Sequence, residues 1–110
     1  MTTKEKDPVL VVVQLSGGND YLNTVIPYND PTYYDNRPTI RYDQDEILPV
    51  DKDLAFNPQM GALKDIYDQG DLAVIHGVGW EESTRSHFRA MEIWHTAEHD
   101  KVGQGGWPGW

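Results

Sequence analysis

Apolar residues along this chain occur in short continuous runs and, between them, at helical spacing, which predicts an α/β fold. Residues 9–15 form a nearly continuous β-branched run that ends at Ser16, Gly17 and Gly18. Such a run is typical of a strand buried on both faces of a parallel sheet. Residues 71–78 repeat the short buried-strand pattern. A long crossover with a helix separates the two runs, so we expect parallel strands.

Two helices are predicted in the crossover. Asp30 and Pro31 supply an N-cap acid and a proline at the first helical position, which indicates a short helix. Asn57 and Pro58 repeat this signal, and apolar residues then recur every three or four positions until Gly70. This second segment predicts an amphipathic helix with a glycine stop.

A third helix follows the second predicted strand. Hydroxyl residues from Ser83 onward precede a segment in which Phe88, Met91 and Trp94 or His95 share one helical face.

Two shorter extended pieces complete the pattern. Residues 24–26 are apolar enough for a brief strand, and residues 47–50 contain a proline that cannot donate to a ladder. We therefore expect the second piece to lie at a sheet edge.

The carboxyl-terminal tail, residues 103–110, is glycine-rich with two tryptophans, and no closing strand or helix follows it. Two parallel strands and three helices leave sheet edges and helix faces uncovered. We therefore expect residues 1–110 to be the amino-terminal part of one larger domain, with the rest of the parent chain completing the fold.

Charge and composition narrow the function classes. The chain has 9 Lys and Arg against 18 Asp and Glu, a formal charge of -9, which argues against nucleic acid or an anionic membrane surface as partner. The first apolar run is too short for a signal peptide or a membrane span, so we predict no membrane insertion and, by default, cytoplasmic residence. Without cysteine, any metal ligands must be Asp, Glu, His or Asn.

The loop after the first strand is a candidate metal site. Gly17 and Gly18 allow a sharp turn, and Asn19, Asp20 and Asn23 offer oxygen donors suited to a divalent cation. The alternative is an ordinary Asx-turn or helix cap around Asp20.

The loop before the third helix is a candidate anion site. Free N–H groups and the helix dipole at a helix start favour phosphate or sulfate, and a hydroxyl there can act as a nucleophile. The residues concerned are Thr84, Arg85, Ser86, His87 and Arg89. The alternative is simple N-capping by a hydroxyl, with the arginines as surface charges.

His95 and His99 have the i, i+4 spacing of two zinc ligands on one helix face. The pair lacks the glutamate of an H-E-x-x-H motif, since Thr96 follows His95, and a solvent-facing helix end is the alternative.

Four segments in this order resemble a known family: VVVQLSGGNDYLNTVIPY at 11–28, DPTYY at 30–34, LAVIHGVG at 72–79 and STRSHF at 83–88. Together they are similar to the start of a widespread bacterial family of uncharacterised, sulfatase-like proteins in the alkaline phosphatase superfamily. Members often carry twin-arginine export signals, which suggests a periplasmic or exported protein. This chain departs from the family in having no such signal, and in Arg89 where an acid would complete a capping box.

The resemblance implies a doubly wound parallel sheet, incomplete in this chain, and a hydrolase of phosphate or sulfate esters. It implies that Asp20 helps bind a divalent metal (Zn, Mn, Mg or Ca), and the oxygen donors of the same loop add Asn23 as a second predicted ligand. It also implies that a hydroxyl at the later helix start attacks phosphorus or sulfur. Ser86 is the candidate nucleophile and Thr84 the reserve, with Arg85 and His87 binding the anion.

Further Asp and His ligands would come from the second half of such a sheet, so we expect this chain alone to be inactive. The alternative is a non-catalytic envelope, scaffold or binding protein on the same fold.

Overall fold

A three-stranded antiparallel sheet and three helices form the α/β structure of residues 6–100, the part of the chain that the computed structural model describes. The chain divides into two units, one ending at Met60 and the other beginning at Gly61. The first unit contains a 3-10 helix, all three strands and one helix, and the second contains two helices. In chain order these are the 3-10 helix Tyr21–Asn23, β1 (Val25–Ile26), α1 (Pro31–Asn36), β2 (Leu48–Pro49), β3 (Ala55–Phe56), α2 (Gly61–Asp68) and α3 (His87–Thr96).

The sheet has the order β1-β3-β2, with β3 in the centre. Phe56 lies opposite Val25 on one side and Leu48 on the other, and Ala55 lies opposite Ile26 and Pro49. The edge position predicted for residues 47–50 is confirmed, because β2 places its proline on an outer strand.

The core of the first unit joins this sheet to α1. Ile26 and Ala55 are fully buried and pack with Tyr33 and Ile47. Three half-buried tyrosines pack against the cluster: Tyr28, Tyr34 and Tyr42. The core is small and rich in tyrosine, so its rings need polar partners for their hydroxyl groups.

Helix α1 begins as its sequence predicts. The Asp30 carboxylate accepts a hydrogen bond from the Thr32 N–H at 2.9 Å, and Pro31 occupies the first turn. Tyr33 is the buried residue of this helix, and its ring meets Tyr34 edge-on at 5.0 Å between centroids. The N-cap and the proline therefore place a buried phenol against the sheet.

The parallel sheet predicted from residues 9–15 and 71–78 is not the sheet that the structure contains. Neither segment forms a strand, and the observed ladder is antiparallel and built from other residues. Their apolar side chains are largely exposed, for example Val9 at 85% and Ile75 at 77%. A β-branched run becomes a strand only when a neighbouring strand completes its hydrogen-bond ladder. The apolar pattern of a segment does not determine which other segment pairs with it.

Helix α2 begins later than the Asn57 and Pro58 signal predicts. The Asn57 side-chain oxygen accepts from the Gln59 N–H at 3.0 Å, and its carbonyl accepts from the Met60 N–H at 2.9 Å. Asn57 therefore closes a tight turn instead of capping a helix, and α2 starts at Gly61.

The glycine stop predicted at Gly70 is confirmed. Its φ of 84° lies in the left-handed region that glycine adopts without strain. The Gly70 N–H donates to the Tyr67 carbonyl and the Asp71 N–H to the Ile66 carbonyl. This pair of bonds is a Schellman motif, which satisfies the last carbonyls of α2.

The buried residue of helix α3 lies outside the apolar face that the sequence indicates. Ile93 is buried at 6% exposure, whereas Phe88 is 92% exposed and Trp94 is 44% exposed. Periodicity predicts which residues share a face, and only the packing partners decide which face is covered.

Replacing buried Ile26 with valine should lower the free energy of unfolding by about 0.5–1.5 kcal/mol, because one methylene leaves a closely packed site. Thermal and urea unfolding of the protein measure the effect. Ile40→Val, at a side chain that is 57% exposed, is the matched control and should leave stability nearly unchanged. Equal losses in the two variants would contradict the core assignment.

Candidate functional site

Asp20, the predicted metal ligand, forms a two-point ion pair with Arg37. Arg37 Nη1 donates to Asp20 Oδ2 at 2.8 Å, and Nη2 donates to Oδ1 at 2.9 Å. The arginine side chain is 19% exposed and the aspartate side chain 46% exposed. This parallel geometry is the strongest arrangement between these two groups.

The ion pair changes the acidity of the carboxyl group. Hydrogen bonding from Arg37 is the main cause that lowers the pKa of Asp20 below its ordinary value of 3.8, against a smaller opposing effect of burial. The pKa of Arg37 is raised by the same contact. Asp20 is therefore an ionised carboxylate whose charge is already balanced by a neighbouring cation.

Asn23, the second predicted ligand, forms hydrogen bonds through both the nitrogen and the oxygen of its side-chain amide. Its Nδ2 donates to the Ile40 carbonyl at 2.8 Å, and its Oδ1 accepts from the Tyr33 hydroxyl at 2.8 Å. The same hydroxyl accepts from the Tyr42 N–H at 2.9 Å. The amide thus connects the loop to the buried phenol of α1.

Hydrogen bonds also hold the backbone of the same loop. The Asp20 carbonyl accepts from the Asn23 N–H at 3.1 Å and from the Thr24 hydroxyl at 2.8 Å. Asn57 reaches across from the end of β3, where its Nδ2 donates to the Asn23 carbonyl at 2.7 Å and its N–H to the Thr24 carbonyl at 3.1 Å. Gly17 and Gly18, with φ of 89° and 105°, supply the turn that leads into the loop.

These contacts do not fit a divalent-metal site at Asp20 and Asn23. A hard cation needs several oxygen ligands directed at one point with lone pairs available. Both Asp20 oxygens already accept from a guanidinium, and the Asn23 oxygen accepts from a phenol. The Asp20 side chain makes no full cap hydrogen bond to the 3-10 helix, although the backbone N–H groups of Leu22 and Asn23 help to lower its pKa, as in an Asx-turn.

Another group in the described residues has ligand atoms close together. One carboxylate oxygen from each of Asp43, Asp45 and Glu46 lies within 4.8 Å of the others, and all three residues are exposed. The Glu46 carboxylate already accepts from the Asp43 N–H at 2.9 Å. This contact closes a loop turn, which accounts for the cluster without a metal.

Ser86, the predicted nucleophile, is the N-cap of α3. Its Oγ accepts from the Arg89 N–H at 3.4 Å, and its own N–H donates to Thr84 Oγ1 at 3.1 Å. The capping alternative is therefore confirmed for Ser86, and Thr84 supports it from two residues before. Ser86 remains exposed, so capping does not enclose its hydroxyl group.

The side chains directly flanking Ser86 are basic. Arg85 and His87 are exposed beside Ser86, and the first turn of α3 contains no acidic residue. Free N–H groups and the helix dipole add positive potential at this end.

Arg89 is directed away from this cluster into a structural role. It pairs with Glu92 at 2.8 Å and donates to the His99 carbonyl at 3.2 Å. His99 lies beyond the left-handed Ala97 that ends α3, so His95 and His99 do not share a helical face. The i, i+4 zinc geometry is therefore absent from α3.

An apolar cavity of about 380 Å³ lies within the second unit, next to the later half of α3. Its lining consists of Val78, Gly79, Trp80, Ile93, Trp94, Ala97 and His99. The predicted residues Thr84, Arg85, Ser86 and His87 do not line it, so the cavity and the start of α3 are separate features.

The predicted residues belong to two units. Asp20 and Asn23 lie in the first, and the group from Thr84 to His87 lies in the second. Sequence reasoning missed Arg37 and Tyr33, the partners that define the first group. Arg37 stands 17 residues from Asp20, with no motif or helical spacing to connect them, so only the turn of α1 back onto the loop reveals the pair.

No helix among residues 6–100 has the length and apolar character needed to cross a bilayer. The chain matches no protein-family model, and comparisons with curated proteins and with solved structures also give no match.

Acidification should remove the stabilisation contributed by the Asp20 ion pair. Because the folded pKa of Asp20 is below the ordinary 3.8, the contribution is fully present above that value and is lost as pH falls through the folded pKa. Carboxyl chemical shifts followed by NMR should give Asp20 a midpoint below 3.8, and Arg37→Gln should move that midpoint upward. An Asp20 midpoint that Arg37→Gln leaves unchanged would contradict the pairing.

Proposed function

We propose that the intact protein hydrolyses phosphate or sulfate esters and that the start of α3 binds the oxyanion. The supporting observation is the exposed Ser86 hydroxyl at a helix N-terminus, beside Arg85 and His87 and without an acid in the first turn. Positive potential of this kind stabilises charge that develops on a phosphoryl or sulfuryl group.

In this proposal Ser86 is the nucleophile. Its oxygen is positioned by the Arg89 N–H, and Thr84 holds the backbone of Ser86 in place. A serine hydroxyl is a weak nucleophile until a base removes its proton, and the described contacts of Ser86 do not include such a base. The proposal therefore assigns proton removal to a group elsewhere in the intact protein.

The proposed fold of the intact protein is the doubly wound, alkaline-phosphatase-like sheet of the family that the sequence resembles. What supports it is the exposure of two apolar segments that would become strands there. Leu10 is 83% exposed and Val11 77%, and in the second segment Ile75 is 77% exposed and Val78 65%. Contiguous exposed apolar residues of this kind mark surfaces that another part of a protein covers.

The divalent metal implied by the same resemblance (Zn, Mn, Mg or Ca) is not assigned to Asp20 or Asn23 in this proposal. Both residues are engaged in protein contacts. Any metal of the intact enzyme is held by other residues.

A second candidate is a non-catalytic scaffold or binding protein. The observation that favours it is that the side chains of Asp20 and Asn23 are already hydrogen-bonded to other residues of the protein, which gives the first loop a structural role. In this case Ser86 is only a helix cap, and the oxyanion site binds without chemistry.

Three substitutions at Ser86 separate capping from chemistry. Ser86→Ala removes both the cap and the hydroxyl, and loss of the cap costs about 0.5–2 kcal/mol of stability. Ser86→Asn keeps a good cap without a nucleophile, so it should retain stability and lose hydrolysis of aryl phosphate and aryl sulfate. Ser86→Thr keeps both and should retain activity. The readouts are turnover by the intact protein and thermal unfolding.

Undiminished turnover in a well-folded Ser86→Asn variant would remove Ser86 from the mechanism. An intact protein that folds, binds phosphate at the helix start and turns over no ester would favour the scaffold or binding alternative.

A further inference from the structure

The hydrogen bonds that hold the first loop use the oxygens that a metal would need. We infer that Asp20 and Asn23 form a polar clamp that fastens α1, the segment after it and β3 to the first loop, and that this loop is not a divalent-cation site. Asp20 is in this view the structural partner of Arg37. The inference concerns the fold of the first unit and does not depend on any catalytic activity.

Arg37 limits what the two Asp20 oxygens can offer to a cation. Arg37 occupies one position on each Asp20 oxygen, at 2.8 and 2.9 Å. A cation that took those positions would displace the guanidinium, and one bound beside it would lie a few ångströms from a fixed positive charge. Either outcome weakens cation binding, because the carboxylate already has its neutralising partner.

Displacement of Arg37 by a cation would leave its guanidinium without a partner carboxylate. The Arg37 side chain is only 19% exposed, so a guanidinium without its carboxylate would remain partly withdrawn from water. A charge in that position is unfavourable unless it is paired. Retention of the ion pair is therefore favoured over its exchange for a metal.

Asn23 is also committed to contacts within the protein. Its amide nitrogen holds the Ile40 carbonyl and its amide oxygen holds the Tyr33 hydroxyl, both at 2.8 Å. Tyr33 is 4% exposed and belongs to the core cluster. Turning the Asn23 oxygen toward a cation would leave a buried phenol without its acceptor, which is costly in an apolar environment.

The clamp joins segments that are distant from one another in the sequence. Arg37 follows the end of α1, Tyr33 lies within it, Ile40 comes from the connection after it, and Asn57 follows β3. These contacts span up to 34 residues of sequence. A unit with so small an apolar core depends on such long-range polar contacts to hold its segments together.

The test is a double-mutant cycle combined with metal titration of the same proteins. The variants are Asp20→Asn, Arg37→Gln and the double variant, followed by thermal unfolding and by calorimetric titration with Zn²⁺, Mn²⁺, Mg²⁺ and Ca²⁺. We expect each single variant to lower Tm and the double variant to lower it no further than the worse single one, because both remove the same contact. Metal affinity should agree within twofold between wild type and Asp20→Asn.

Lys64 and Asp68 provide a matched control pair. They form an i, i+4 ion pair at 2.6 Å on α2, with side chains 24% and 55% exposed, close to the 19% and 46% of Arg37 and Asp20. This pair joins residues of a single helix turn and no distant segments, and such local helix pairs contribute little to stability. Lys64→Gln and Asp68→Asn should therefore shift Tm less than the two substitutions in the clamp.

Two results would overturn the inference. Metal binding weakened tenfold or more by Asp20→Asn would make Asp20 a ligand in the unmodified protein. Additive losses of Tm in the double variant would show that the two side chains do not act together.

A measurement on the unmodified protein covers the case in which a variant does not fold. Mn²⁺ is added and paramagnetic broadening of amide signals is followed by NMR. Broadening confined to residues 19–24 would place a cation in the loop and overturn the inference, whereas unbroadened signals there support it.

Discussion

The bidentate ion pair between Asp20 and Arg37 ties the loop before β1 to the residue that follows α1, and the first unit is arranged around this connection. The sheet alone has strands of two residues each, which is too little ladder to hold a fold together. Asn23 extends the connection to the buried Tyr33 hydroxyl, and Asn57 extends it to the end of β3. Tyr33 therefore belongs to both the apolar core and the polar clamp, because its ring is buried in the core and its hydroxyl donates to Asn23.

This arrangement changes how the chemistry of the first loop is understood. Asn and Asp residues after an apolar run and a glycine pair are equally suited to binding a cation and to organising a turn, because both roles use the same oxygens. The choice is made by the neighbours. Arg37 donates to both oxygens of Asp20, and the Tyr33 hydroxyl donates to the Asn23 oxygen. The oxygens that could bind a cation therefore accept hydrogen bonds within the protein, and the role of the loop is structural.

The start of α3 presents the opposite case. Ser86 performs its capping role with one acceptor contact and remains exposed beside Arg85 and His87. A cap of this type is compatible with binding an oxyanion, since the same N-terminal dipole favours both. The candidate chemistry of the chain therefore lies in its second unit, while the residues of its first unit that resemble a metal site are structural.

Local sequence determined the elements whose signals are short-range. The Asp30 cap with Pro31, the Ser86 cap, the glycine stop at Gly70 and the edge position of Pro49 all follow from contacts within a few residues. Tertiary structure decided everything that depends on a distant partner. Residues 9–15 have the composition of a buried strand but form none, because a ladder needs a second strand. Likewise Asp20 could not be assigned until the chain had brought Arg37 back to it from 17 residues away.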